Sequence, residues 1–347
     1  MPLLDFRSDN VGAVAPQIMA AVMHVNTGTA DGYGRDPLTK SLAQTYARAF
    51  DADVTVFPVA TGTAANAVAL SVLTPPWGAV LCHPTAHIHA SECGAPEFFT
   101  AGAKLIPVPG PQGRIDPDAL RQVLDGAGRN QPHRVQPAVL SLTQPTDLGT
   151  VYSLDVLATL CAMARDYGLR VHMDGARLAN AVATLDCSLA DVTWRCGVDI
   201  LSFGVTKNGG MSADAIIAFD RRLAGPLTFR LRRAGQTFSK MRYAAAQLAA
   251  YVDADLYRHL ASGANARARC LADGLVGAGV PLVAPVEANE IFCQLSPSTV
   301  RQLETVALFH RHANDVVRFV CRWDSDEADA DTLVRAVARY GAAGVSS

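Results

Sequence analysis

Hydrophobic positions along the chain fall into short, nearly continuous apolar runs separated by longer stretches with helical spacing. The runs at 55–60, 79–82, 104–108, 138–142, 169–173, 198–203 and 214–219 read as strands. The segments 64–73, 117–124 and 153–167 repeat their apolar residues every three to four positions and read as helices. Strand–helix alternation of this kind predicts an α/β fold with an open, mostly parallel sheet and helices on both faces. Ligands of such sheets bind beyond the carboxyl ends of the strands. The pattern changes near residue 245. An alanine-rich stretch at 244–275 predicts one long connecting helix, and 283–295, 316–323 and 327–340 read as strand, strand and helix. The expected organisation is therefore a large domain over 1–245 and a smaller C-terminal α+β domain over 246–347.

Composition narrows the function classes. Half of the 347 residues are hydrophobic and 18% are charged, which fits a large buried interior and argues against disorder. Net charge is −2 with no basic stripe, so nucleic acid is not an expected partner. No apolar run approaches the roughly 18 to 20 residues that span a bilayer. The N-terminus reads Met1-Pro2-Leu3-Leu4-Asp5-Phe6-Arg7, acid before base, unlike a secretory signal. Eight scattered cysteines without a C-x-x-C pair suggest buried thiols in a reducing cytoplasm.

Only four lysines occur, Lys40, Lys104, Lys207 and Lys240, so chemistry that needs a primary amine has four candidates. Lys207 ends a strand-like run and enters a loop with glycines on both sides, where desolvation makes an amine nucleophilic. A surface turn lysine would look the same in isolation. Asp174 follows another strand and opens Asp174-Gly175-Ala176-Arg177; a carboxylate there can hold a pyridine nitrogen protonated. Its bland alternative is a helix cap beside a surface arginine. The run Thr61-Gly62-Thr63-Ala64-Ala65-Asn66 joins a strand to a helix, where free N–H groups and a hydroxyl suit a phosphate. It lacks the endings of a P-loop and of a dinucleotide fingerprint. His83, His87 and His89 lie close together, but Pro84 interrupts and no carboxylate or cysteine completes a zinc set, so no metal site is expected. His87 suits stacking on a flat aromatic ring, whereas His310 and His312 read as solvated.

Phosphate loop, histidine, strand-end Asp and Arg, then strand-end Lys is the order found in pyridoxal-phosphate enzymes of the aspartate aminotransferase fold (fold type I). More narrowly, the chain resembles the low-specificity L-threonine aldolases of the β-eliminating lyase group, nearly end to end. The resemblance runs through Arg7-Ser8-Asp9-Asn10, Tyr33-Gly34-Arg35-Asp36, Thr85-Ala86-His87, Glu92-Cys93-Gly94-Ala95-Pro96-Glu97, Thr206-Lys207-Asn208-Gly209, Pro285-Val286-Glu287-Ala288-Asn289 and Arg318-Phe319-Val320-Cys321-Arg322-Trp323. It implies that Lys207 holds pyridoxal 5'-phosphate as a Schiff base and that His87 stacks on its ring. Asp174 would pair with the ring nitrogen, Gly62 and Thr63 would bind the phosphate, and Thr206 and Arg177 would complete the cofactor's surroundings. Ser8, Arg177 and Arg318 would grip the substrate carboxylate, the arginines by a planar fork that lysine lacks. Tyr33 would enter from a neighbouring subunit after an active-site segment at 1–36, implying a homodimer or homotetramer with shared sites.

The implied reaction is retro-aldol cleavage of L-threonine, L-allo-threonine and relatives such as phenylserine to glycine and an aldehyde. One departure matters. Many family members carry a histidine in the loop that here reads Thr143-Gln144-Pro145-Thr146-Asp147-Leu148-Gly149. The β-hydroxyl proton must then go to His87, Asp147 or an ordered water. Lys207 alone would also serve β-elimination, racemisation or transamination, and a non-catalytic carrier of the cofactor is the alternative of another class.

Overall fold

Seven strands form the central sheet: β1 (Thr55–Val59), β2 (Gly78–Cys82), β3 (Lys104–Pro107), β4 (Gln136–Thr143), β5 (Arg170–Gly175), β6 (Ile200–Phe203) and β7 (Asp214–Ala218). The structure is a computed structural model that describes residues 3–312 and 315–343. The first two residues of the expected N-terminal segment and the last four of the expected small domain lie outside the described residues. Spatial order in the sheet is β1-β7-β6-β5-β4-β2-β3. Only β7 runs against its neighbours; β2 through β6 are mutually parallel. Every residue of β2, β6 and β7 is buried, which is why these strands read as continuous apolar runs and not as alternating ones.

Helices begin where the sequence supplies a cap. Thr61 accepts the N–H of Ala64 ahead of helix Gly62–Leu73, and Ser153 accepts that of Val156 ahead of Leu154–Asp166. Helix Pro37–Phe50 sends Tyr46 and Phe50 against Phe203 of β6, with ring centroids 6.0 and 5.8 Å apart in edge-on contact. These aromatics sit in the main core beside Tyr251 and Leu142.

Two expectations need correction. The long helix expected over 244–275 is two helices, Arg242–Val252 and Leu256–Gly277, broken where Ala254 and Asp255 adopt left-handed backbone conformations (φ 45° and 55°). Apolar spacing continues across the break, so periodicity does not register it. The second helix is the one that joins the two cores: Leu256, Tyr257 and Leu260 pack into the main core, and Ala268, Leu271 and Leu275 into a second. The strand expected over 283–295 shrinks to β8 (Glu290–Gln294) with an isolated bridge at Leu282. Pro281 and Pro285 have no N–H to give a ladder, and the chain between them and β8 bows out to reach the loop after β4.

The small sheet is completed by β9 (His310–Arg311) and β10 (Val316–Val320), in the antiparallel order β9-β10-β8. Helix Glu327–Ala343 covers it with Leu333 and Val337. The N-terminal Leu4–Asp5 pairs with Ala307–Leu308, and Phe6 meets Phe319 edge-on at 6.2 Å. Residues 4–6 therefore pack with the second core, and the chain then leads from it toward the main sheet.

Candidate active site

A cleft of about 290 Å³ opens at the carboxyl ends of β4, β5 and β6 and at the N-terminus of helix Gly62–Leu73. Register places Thr143, Asp174 and Ser202 side by side on these three strands, and all three line the cleft. One step deeper, the buried His172 bridges Ser141 (Nδ1, 2.9 Å) and Ser202 (Nε2, 3.1 Å). Burial pushes its pKa down to about 4, so this imidazole is neutral and ties the strands together.

The Asp174 carboxylate is held from both sides, accepting the Asn66 side-chain amide at 2.8 Å and the Ala176 N–H at 3.0 Å. Asn66 uses the same nitrogen to reach Glu92 at 2.8 Å, and Glu92 in turn bonds His87 Nδ1 at 2.8 Å. A hydrogen-bonded chain thus runs from Asp174 to His87. The Glu92 bond raises the His87 pKa above its ordinary value, against burial, with Asp174 adding to the rise. Burial in turn pushes the Glu92 carboxyl up.

Lys207 sits in the short turn Thr206–Asn208 between β6 and β7, half-buried and lining the cleft. Two anchors fix this turn. Asp214, at the start of β7, accepts the N–H groups of Val205 (2.8 Å) and Thr206 (3.0 Å). Asn208 donates to the Tyr251 hydroxyl (2.8 Å) and the Tyr257 carbonyl (2.9 Å). Gly209 follows with φ 93°, where a Cβ would also press on Ala15 at 2.9 Å. The Lys207 amine has no hydrogen bond or ion pair among the described residues.

In the same cleft, at the start of helix Gly62–Leu73, the N–H groups of Gly62 and Thr63 have no partner among the described residues. The Thr206 hydroxyl faces the same region, buried and without a partner. A buried hydroxyl without a partner is costly, and its convergence with two free N–H groups at a helix terminus fits a phosphate. A pyridoxal phosphate is thus matched at three places: the phosphate end, the Lys207 amine and the Asp174 carboxylate.

Arg177, part-buried, is forked onto Asp9, through Nε at 2.6 Å and Nη2 at 3.0 Å, while Nη1 lies 3.2 Å from Glu290. Glu290 also stands 3.4 Å from Arg318, which donates to the Arg7 carbonyl. One carboxylate therefore spans the two arginines. Of the residues expected to grip a substrate carboxylate, Arg177 lines the cleft, whereas Arg318 stands behind it beyond Glu290 and Ser8 caps the turn Asp9–Val11. Tyr33 is 50% exposed on a surface loop, its ring 5.2 Å from the Arg232 guanidinium, and does not line the cleft. The three clustered histidines separate: His83 bonds Thr85 and the Gly110 carbonyl, and His89 the Pro84 carbonyl. Among the described residues no cluster of His, Cys, Asp or Glu is arranged to hold a metal ion, and no helix is long and apolar enough to cross a membrane.

Asp147 lies on the turn after β4 and lines the cleft without a hydrogen bond or ion pair of its own among the described residues. Its carboxyl is pushed up to about 7, first by burial and then by repulsion from Asp174 and Glu290, with His87 and Lys207 pulling the other way. Asn66, Asp214, Glu92 and Glu290 have no individual role in the sequence reading. Each is a polar residue inside or bordering an apolar run or glycine-rich motif, and that anomaly is the signal available for finding them.

A family model described as β-eliminating lyase matches residues 5–298. Over 333 residues the chain is 39% identical to a low specificity L-threonine aldolase of Pseudomonas aeruginosa, covering 95% of this chain and 96% of that one. The fold superimposes on a threonine aldolase of Leishmania major with a TM-score of 0.91 at 26% identity, covering 97% of this chain and 99% of the other. An aspartate aminotransferase of Thermus thermophilus shares the fold, with a TM-score of 0.72 at 14% identity over 97% of this chain and 91% of that one.

Proposed function

The chain belongs to the β-eliminating lyase family, and from that premise we propose that it binds pyridoxal 5'-phosphate on Lys207 and cleaves β-hydroxy-α-amino acids. The substrates are L-threonine, L-allo-threonine and related compounds such as phenylserine; the products are glycine and an aldehyde. The observation that carries this reading is the partnerless Lys207 amine in one cleft with the braced Asp174 carboxylate and the open helix terminus at Gly62. The similarity to a low specificity L-threonine aldolase of Pseudomonas aeruginosa, over nearly the whole length of both chains, supports the choice among reactions this scaffold can host.

The residues divide the work. Gly62 and Thr63 supply backbone donors and Thr206 a hydroxyl to the phosphate. Asp174 holds the proton on the ring nitrogen, and Asn66 and the Ala176 N–H keep that carboxylate aimed. His87 presents its ring face, fixed by Glu92. Arg177 offers a substrate carboxylate the N–H groups that Asp9 leaves free, with Arg318 and Ser8 completing that side. When bound, the cofactor supplies an electron sink for the pair released by the breaking Cα–Cβ bond. Clamping the substrate at its carboxylate, with its amine at the position the Lys207 amine gives up, would select which bond stands ready to break.

We assign residues 1–245 to the cofactor-binding domain and 246–347 to the smaller one. The enzyme works in the cytoplasm as a homodimer or homotetramer, with Tyr33, exposed in the single chain, reaching a neighbouring subunit's cleft. A coupled acetaldehyde assay with L-threonine and L-allo-threonine, and benzaldehyde release from phenylserine, test the activity. Aldehyde and glycine in equal amounts support it. A 2-keto acid, with or without ammonia, or the Cα epimer of the substrate in their place, from protein loaded with cofactor, overturns it.

A further inference from the structure

We propose that the Asp147 carboxylate takes the β-hydroxyl proton of the substrate as the Cα–Cβ bond breaks, and returns it in the reverse reaction. The inference rests on the aldolase reading above and names the base of that reaction. Three carboxylates line the cleft, and two of them are occupied: Asp174 by Asn66 and Ala176, Asp214 by the N–H groups of Val205 and Thr206. Three more stand behind the lining, and each also has a partner: Asp9 holds Arg177, Glu92 holds His87 and Asn66, and Glu290 spans Arg177 and Arg318. Asp147 is the one carboxylate of the six with no partner among the described residues.

Its placement is rigid. Thr146 N–H meets the Thr150 carbonyl at 2.8 Å, Gly149 N–H meets the Thr146 carbonyl at 2.9 Å, and the Thr150 hydroxyl reaches the Gln112 carbonyl at 2.7 Å. Gly149 (φ 74°) closes the turn against the Glu290 backbone, where a Cβ would lie 3.0 Å from its carbonyl oxygen. Such a clamp suits a group that must meet a substrate atom. The groups facing Asp147 are Asp174 and Glu290, which raise its affinity for a proton, and His87 and Lys207, which lower it; Arg177, Tyr152 and Cys82 also feel its charge. A carboxyl poised near neutrality both takes and gives a proton efficiently. His87 is the poorer base, because Glu92 holds its Nδ1 and keeps the imidazole charged to higher pH.

The step balances. The O–H bond breaks and its proton moves to Asp147. The oxygen's pair completes the aldehyde C=O, and the Cα–Cβ pair stays with Cα, which later takes one proton to become glycine. No oxidant, reductant or water is consumed.

The test compares wild type with Asp147→Asn as holoenzymes in three assays: aldehyde release, exchange of the glycine α-proton in D₂O, and glycine affinity by spectral titration. Exchange needs the cofactor site but no β-hydroxyl. The expected result is aldehyde release lowered by about 10² to 10⁴-fold, with exchange and glycine affinity within about threefold of wild type. The rise of wild-type kcat/KM with pH through about 7 disappears in the variant. In protein without cofactor, carboxyl NMR of ¹³C-labelled aspartate shows a signal titrating near that pH only in wild type. Aldehyde release within about threefold of wild type, with the pH rise kept, overturns the assignment. A wild type that exchanges the glycine proton yet releases no aldehyde overturns the aldolase reading itself, a separate result.

Discussion

Replacing Glu92 by glutamine probes the chain that links His87 to Asp174. The Glu92 side chain is fully buried, and its Oε1 accepts both His87 Nδ1 and Asn66 Nδ2 at 2.8 Å, while Oε2 has no partner. The amide keeps a neutral acceptor but puts an NH₂ where no acceptor stands. A hydrogen bond to a charged group contributes about 1.5 to 3 kcal/mol, and a buried unpaired donor costs about 1 to 3 kcal/mol. The His87 side chain is 39% exposed, so water screens the pair and the lower end applies. Relief from burying the Glu92 charge offsets part of the loss, leaving a net cost of about 2 kcal/mol while His87 is charged. The sign follows from the raised His87 pKa. Its contribution is complete below the ordinary value of 6.5 and fades as pH climbs through the folded-state value. Glu92's own raised pKa acts in the same direction, because its ionised form is the disfavoured one at high pH. Urea unfolding of protein without cofactor should therefore show a deficit of about 2 kcal/mol near pH 6 that is clearly smaller at higher pH, where the charged-pair part is lost and the cost of the unpaired amide remains. Histidine NMR, with the His87 signal assigned by its loss in His87→Asn, should show the His87 pKa lowered in the variant. An equal deficit at both pH values, or an unmoved His87 titration, refutes the reasoning.

Two further substitutions separate stability from positioning. Asp9→Asn breaks a buried, bidentate pair with Arg177 and should cost about 3 to 5 kcal/mol near neutral pH. The pairing with Arg177 holds the Asp9 pKa below 3.8 despite burial, so this stability is present above 3.8 and lost as pH falls through the folded value. Melting curves from pH 7 down to pH 3 check both the size and the direction. Gly149→Ala forces a side chain into a left-handed conformation, at about 1 to 2 kcal/mol, and presses on the Glu290 carbonyl. The melting temperature should fall by several degrees, with aldehyde release reduced more than glycine affinity; a loss confined to glycine affinity contradicts the role given to this turn.

Much of the sheet was legible because β2, β6 and β7 are buried on both faces and show as unbroken apolar runs. That Asp174 and Lys207 stand at the cleft was legible for a related reason, since a charged residue ending an apolar run is conspicuous. Strand direction was not. The reversal of β7 leaves no mark on periodicity, although the ten residues between Phe203 and Asp214 are fewer than the dozen or more that a parallel crossover requires. The break at Ala254 escaped because alanine carries no turn signal. Apart from the local His87–Glu92 bond, the Asn66–Glu92–His87 chain and the Glu290 bridge between two arginines join residues that lie far apart in the chain. No local pattern encodes which of them meet. Glu290 in particular reads as one residue inside the strand expected over 283–295 until the fold brings Arg177 and Arg318 to its two oxygens.

The proposed function stands on Lys207 as the residue that carries the cofactor. Borohydride reduction of the holoprotein followed by peptide mass mapping tests it most directly, because reduction fixes the cofactor on whichever amine holds it. The expected result is a pyridoxyl-phosphate adduct on the peptide containing Lys207, absent from Lys207→Ala. An adduct on Lys40, Lys104 or Lys240 in wild type, or no adduct after reconstitution with pyridoxal phosphate, contradicts it.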